Sequence, residues 1–115
     1  MTPRSSACYA DGMPVPPRAV RAAARQGLEL RRERRRVTVR PGGTAVGVAR
    51  ARDLAAGRDI SYRTLQRMVA YFDRVVDAQA EAREDPESPA SVAFLLWGGR
   101  PGYAWAKREL ERRGL

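Results

Sequence analysis

Histidine is absent from the 115-residue sequence, and cysteine occurs once, at Cys8. Without histidine the chain lacks the commonest general base and the commonest metal ligand. A single cysteine can neither close an internal disulfide nor hold a zinc ion. The sequence also contains no Walker A, GxGxxG, HExxH or GxSxG motif. We therefore expect a non-enzymatic protein without a metal or other cofactor.

Aromatic residues and long apolar runs are also scarce. Aromatics make up 7% of the chain, against 43% hydrophobic residues in total, so a core would be built mainly from alanine, valine and leucine. No apolar run approaches the roughly 20 residues that span a bilayer. The first 14 residues contain no apolar stretch like that of a signal peptide. These features predict an intracellular or intravirion protein without membrane contact.

The positive charge is concentrated in one segment. The net charge is +9, and residues 18–40 alone hold nine arginines and two glutamates, a net charge of +7. All basic residues except Lys107 are arginine, whose planar guanidinium binds phosphate through paired hydrogen bonds. A high-GC genome explains most of that arginine-to-lysine ratio, so the segment's position is the stronger signal.

The hydrophobic periodicity predicts an all-α fold, a small single-domain bundle of about five helices. Residues 1–15 form a flexible N-terminal lead, and 16–115 form the helical domain. The first helix follows Pro16 and Pro17 and carries a stripe of small residues around Ala24 and Gly27, suited to close packing against another helix. The other predicted helices cover 45–56, 62–82, 90–97 and 103–113.

Several end signals accompany these helices. Thr44 and Ser61 are predicted N-caps, and Gly57 is a predicted C-terminal glycine. The acidic, proline-containing stretch 81–89 reads as a linker. Val37-Thr38-Val39 could form a short strand or extended arm. On the third helix, Phe72 is predicted to be buried.

The basic run at 31–36 has more than one interpretation. Arginines clustered on a helix match the charge density of a duplex and release counterions when they neutralise phosphates. An acidic protein surface would also attract them, and a solvated helix C-terminus favours cations without any partner. We favour nucleic acid, DNA over RNA. The predicted nucleic-acid-binding residues are Arg31, Arg32, Arg34, Arg35, Arg36 and Arg40, followed by Arg63 and Arg67.

Two further motifs have a structural alternative. The predicted helices on either side of the turn at 57–60 could form a helix-turn-helix, with Tyr62, Arg63 and Thr64 reading bases. An ordinary helical hairpin is the favoured interpretation. Likewise Trp97-Gly98-Gly99 could be a ligand loop, but a helix stop with a core tryptophan is favoured.

Four segments carry a recognisable pattern: GLELRRE (27–33), GGTAVGVARARDLAAGRDIS (42–61), RMVAYFDR (67–74) and PASVAFLLWGGRPGYAWA (89–106). Together they resemble a small domain that recurs in tailed bacteriophages, where it occurs alone or appended to larger phage proteins. That domain usually reads like RAARRGLEWRRE, then GGTxVGVARARDI, then PSAGRIAWLLWGGDAGxxWA. The likeness covers about 90 of the 115 residues in the same order.

The resemblance implies a phage or prophage context and a non-catalytic accessory role. It places the protein in the host cytoplasm or the virion. This chain departs from the pattern at RRRVTVRP (34–41), which is longer and more basic, and at Arg100, where the family tends to have aspartate. The expected function is nucleic-acid backbone binding with little sequence specificity. The alternative is a virion structural or assembly protein that docks its basic surface on an acidic phage protein.

Overall fold

A computed structural model describes residues 13–75 and 84–115, and within these residues the chain is all α-helical. The predicted small helical bundle is therefore confirmed. Within those residues, no helix combines the length and the apolar composition needed to cross a bilayer. Cys8 and most of the predicted lead lie outside the described residues. The helices given by the described residues are α1 (Arg18–Arg34), α2 (Ala45–Ala55), α3 (Tyr62–Arg74), α4 (Pro89–Leu96) and α5 (Gly99–Arg112).

Helix α1 lies at the centre of the bundle. It packs against α2, α4 and α5, and the residues that it buries are the predicted small-residue stripe, Val20, Ala23, Ala24 and Gly27. A Cβ atom on Gly27 would stand 2.8 Å from the backbone nitrogen of Leu96 and 3.0 Å from Leu95 Cβ. Glycine is therefore required for α1 and α4 to approach this closely.

Side-chain caps fix where the middle helices begin. The hydroxyl oxygens of Thr44 and Ser61 accept hydrogen bonds from the backbone amides of Gly47 and Thr64, as predicted. Ser88 does the same for Ser91 at the start of α4, with Pro89 in the first helical turn. Each such cap contributes about 1 kcal/mol by satisfying an amide that has no partner within the helix.

Helix α3 packs on α5. Leu65, Met68 and Phe72 are buried in the same core cluster as Trp105 and Leu110 of α5. The predicted single helix over 62–82 was wrong in its continuity, because α3 ends at Arg74 and the backbone leaves helical geometry at Val75 (φ −112°, ψ 43°). The remainder of that prediction, residues 76–82, lies outside the described residues. No glycine or proline marks this end, so the sequence carried no signal for it.

Helix α5 begins four residues earlier than predicted. The glycine-rich stretch 98–102 was expected to separate α4 from α5, but the break is confined to Gly98 and Gly99, at φ 105° and 63°. Helix α5 starts at Gly99 and includes Pro101, which is tolerated because amides in the first turn have no helical partner. Gly102 is needed for packing, since a Cβ there would lie 2.9 Å from the Trp97 carbonyl oxygen.

The segment joining α2 to α3 forms neither a helix-turn-helix nor the favoured helical hairpin. Helix α2 packs on α1 whereas α3 packs on α5, and α2 and α3 make almost no contact with each other. Ile60, 2% exposed, anchors the connection in the core, and its amide donates to the Pro14 carbonyl at 2.8 Å. The buried Ile60 thus separates α2, which packs on α1, from α3, which packs on α5. Its hydrogen bond to Pro14 also holds the end of the predicted lead against the domain.

The predicted strand or arm at Val37–Val39 is a turn followed by an irregular loop. The amides of Val37 and Thr38 both donate to the Arg34 carbonyl, at 3.0 and 2.9 Å. These amides are therefore engaged by the end of α1 and do not pair with a strand. Val37 and Val39 are 84% and 95% exposed.

Candidate nucleic-acid interface

The predicted basic run splits into two groups because it is helical through Arg34. Arg31 and Arg34 turn toward the loop that follows α1. The Arg31 Nε donates to the Gly42 carbonyl at 3.0 Å, and the Arg34 Nε donates to the Pro41 carbonyl at 2.9 Å. Arg34 also donates to the carbonyls of Glu87 at 2.7 Å and Arg40 at 3.4 Å. Arg34 uses all three of its guanidinium nitrogens in these bonds and so stabilises the fold, whereas the bond from Arg31 to the loop uses Nε alone.

The loop held by Arg31 and Arg34 has little freedom to rearrange. Gly42 and Gly43 have φ values of 103° and 81°, a region that side chains disfavour. A Cβ on Gly42 would stand 2.7 Å from the Pro89 carbonyl oxygen. The loop is thus packed against the start of α4, and the exposed Arg36 and Arg40 project from a fixed support.

The remaining arginines of the run point outward. Arg32 and Arg35 are exposed and, with Arg31, line one side of a hollow of about 170 Å³ between α1 and α2. Val48 and Arg52 line the α2 side. Arg52 comes from a different helix and was not among the predicted binding residues.

A second hollow is lined by residues of the same two helices. It has a volume of about 490 Å³ and is lined by three α1 arginines, Arg18, Arg21 and Arg25, and by Ala55 and Ala56. We call the two hollows together the basic groove. Along α1 it extends for about 25 Å, at 1.5 Å per helical residue. Its arginines are Arg18, Arg21, Arg25, Arg31, Arg32, Arg35 and Arg52.

None of the described residues that line the basic groove is a carboxylate. Its seven arginines form no ion pair with another described residue. The acidic residue of α2, Asp53, is engaged elsewhere, by Arg58 at 2.7 Å and by Arg50 at 3.4 Å. Like charges set along the groove repel each other, and a bound polyanion would relieve that repulsion.

Sequence reasoning missed four of the groove arginines, Arg18, Arg21, Arg25 and Arg52. For the first three a signal existed, since positions 18, 21, 25, 32 and 35 recur at intervals of three or four, or their sum, and so share one helix face. The prediction instead followed the contiguous run, which a helix distributes around its circumference. No sequence signal showed which face of α2 would meet α1.

Arg63 and Arg67, the second-rank predicted residues, lie away from the groove. Both are exposed on α3, which packs against α5 and not against α1. Arg67 lines a separate hollow of about 350 Å³, together with Thr44, Val46, Ala70, Arg74 and Trp97. The structure therefore does not unite the eight predicted residues in one site.

In the described part of the chain, no three side chains of histidine, cysteine, aspartate or glutamate come together as metal ligands would. The comparisons with family models, with curated proteins and with solved structures gave no match to this chain. The basic groove is accordingly interpreted from its own geometry and charge.

Proposed function

We propose that this protein is a non-enzymatic nucleic-acid-binding protein, and that its basic groove holds the sugar-phosphate backbone, preferably of DNA, with little sequence specificity. The observation that carries the proposal is the set of seven groove arginines from two helices, whose described lining includes no carboxylate. Guanidinium groups pair with phosphate oxygens through charge-assisted hydrogen bonds. A groove of about 25 Å matches about seven nucleotides at 3.4 Å per nucleotide of one strand.

The composition of the groove also argues for weak discrimination between sequences. Apart from arginine, its lining consists of Leu28, Val48 and three alanines. The described lining contains no asparagine or glutamine to pair with adenine, and contacts to phosphate carry no sequence information. A protein of this kind coats or tethers nucleic acid and does not select an operator.

A matched pair of triple variants tests the proposal. One variant replaces Arg25, Arg32 and Arg52 of the groove with glutamine. The control replaces Arg63, Arg100 and Arg108, which are exposed on α3 and α5, so that both proteins lose three charges. We expect the groove variant to bind a labelled 20-base-pair duplex at least tenfold more weakly than the control at 100 mM salt. Equal loss in both variants would refute a localised site.

A second candidate function is favoured by the loop between α1 and α2. Val37 and Val39 are exposed beside Arg36 and Arg40. Exposed apolar side chains can pack against a protein surface but gain nothing from contact with a phosphate. This suits docking on an acidic phage structural protein in the virion, in line with the resemblance to phage accessory domains. Virion incorporation without measurable DNA binding at low salt would favour this candidate over the first.

A further inference from the structure

A second concave surface lies on the other edge of α2. It is the hollow of about 350 Å³ bounded by the start of α2, by α3 and by the end of α4, and we call it the Trp97 hollow. Its volume falls within the range of small-molecule pockets. Its lining residues are Thr44, Val46, Arg67, Ala70, Arg74 and Trp97.

Trp97 is held in a defined position and yet is not fully buried. Its ring stacks on Tyr71, with centroids 4.9 Å apart and planes 13° from parallel. Gly47 leaves room for the indole, because a Cβ at that position would lie 3.2 Å from Nε1. Trp105, in contrast, is only 4% exposed and belongs to the core. The helix-stop interpretation of Trp97-Gly98-Gly99 therefore accounts for the backbone but not for the accessible part of the indole.

The chemistry of the hollow combines an aromatic ring, an aliphatic side chain and two cations. Val46 is 55% exposed, and Arg67 and Arg74 are exposed and lie about two turns apart on α3. Among the residues that the structure describes, no carboxylate lines the hollow. A planar apolar group that carries negative charge complements this combination, and an unpaired base attached to its phosphates has both properties.

We propose that the Trp97 hollow accepts an unpaired nucleobase from a strand whose backbone occupies the basic groove. This inference rests on the proposed function. Val48 and Arg52 of α2 line the groove, whereas Thr44 and Val46, at the start of the same helix, line the hollow. A helix is about 10–12 Å across with its side chains, a distance that about three nucleotides span at 3.4 Å each. One single strand can therefore occupy both surfaces, but a closed duplex cannot place a base in the hollow.

Tryptophan fluorescence tests the inference directly. In a Trp105→Phe variant, Trp97 is the sole tryptophan and reports on the hollow. We expect saturable quenching by a 20-nucleotide oligothymidylate and little quenching by a 20-base-pair duplex. In the otherwise unaltered protein, labelled oligonucleotides should show about tenfold tighter binding of the single strand, equivalent to about 1.4 kcal/mol.

Two charge insertions supply the matched comparison. Ala70→Glu places a carboxylate in the hollow, and Ala104→Glu places one at an exposed position on α5; neither alanine belongs to the buried core. Ala70→Glu should abolish the quenching and the preference for single strands but keep duplex binding within about threefold, while Ala104→Glu should change none of the three. Equal affinity for both DNA forms, without quenching, would overturn this inference and leave the groove proposal intact. Failure to bind either form would overturn both.

Discussion

Arg34 and Arg35 are neighbours in the sequence, but the structure gives them opposite environments. Arg34 donates hydrogen bonds to the carbonyls of Pro41, Glu87 and Arg40, whereas Arg35 is exposed and lines the basic groove. At the end of α1, adjacent residues point about 100° apart around the axis. Helical phase, and not local charge density, thus separates arginines that stabilise the fold from those available to a ligand.

The largest expected effect is a loss of stability, and it comes from a core substitution that leaves the basic groove unchanged. Phe72→Ala should lower the free energy of unfolding by about 3–5 kcal/mol, because Phe72 is 1% exposed and contacts the rings of Tyr71, Phe94 and Tyr103. Denaturant unfolding measures the loss. At a temperature where the variant is still folded, its DNA affinity should match that of the original protein. A loss below about 1 kcal/mol would show that α3 has been placed wrongly.

Arg34→Ala and Arg35→Ala should differ in their effect on the stability of the fold. The first should lower the free energy of unfolding by about 1–2 kcal/mol, since it leaves several carbonyls without their charged donor. The second should change it by less than about 0.5 kcal/mol, as expected for an exposed side chain. Thermal melting of both variants provides the measurement. Similar melting temperatures for the two would contradict the division into fold-stabilising and ligand-facing arginines.

A change of pH tests the burial of Tyr71 without a mutation. Burial raises the pKa of Tyr71 to about 12, partly offset by Arg74, whereas a tyrosine in the unfolded chain ionises near pH 10. The stability that follows from this difference is fully present below pH 10 and is lost as the pH rises toward 12. Urea unfolding should show the decline, and Tyr71→Phe should make it smaller.

The smallest expected effect concerns sequence preference. Arg63→Ala removes an exposed arginine from α3, outside both the basic groove and the Trp97 hollow. Competition between a random duplex and DNA from upstream of the gene should give affinities within about threefold, for the original protein and for this variant alike. A preference of tenfold or more that Arg63→Ala abolishes would instead make α3 a base reader.

The sequence predicted the local features of the fold better than its long-range arrangement. Thr44 and Ser61 were identifiable as N-caps because capping depends on residues within one turn. The end of α3 at Arg74 and the start of α5 at Gly99 were missed, since each depends on backbone geometry that the pattern does not reveal. Which helices pack together was not predictable either, because the burial of Ile60 separates α2 from α3.

The candidate site was predicted only in part, for the same reason. The charge-rich segment indicated the correct helix, and Arg31, Arg32 and Arg35 do line the groove. The inward orientation of Arg34 depends on a loop that folds back against α4, and the contribution of Arg52 depends on how α2 packs against α1. Such features follow from tertiary structure and not from composition.

The salt dependence of duplex binding shows how many phosphates the basic groove neutralises. The logarithm of the binding constant should fall linearly with the logarithm of salt concentration, with a slope of about −0.9 for each phosphate neutralised. Replacing Arg25, Arg32 and Arg52 with glutamine should make the slope shallower by about 2.7, whereas replacing Arg63, Arg100 and Arg108 should change it by less than about 1. The same slope in the groove variant as in the original protein would contradict the assignment of the basic groove as the phosphate-binding surface.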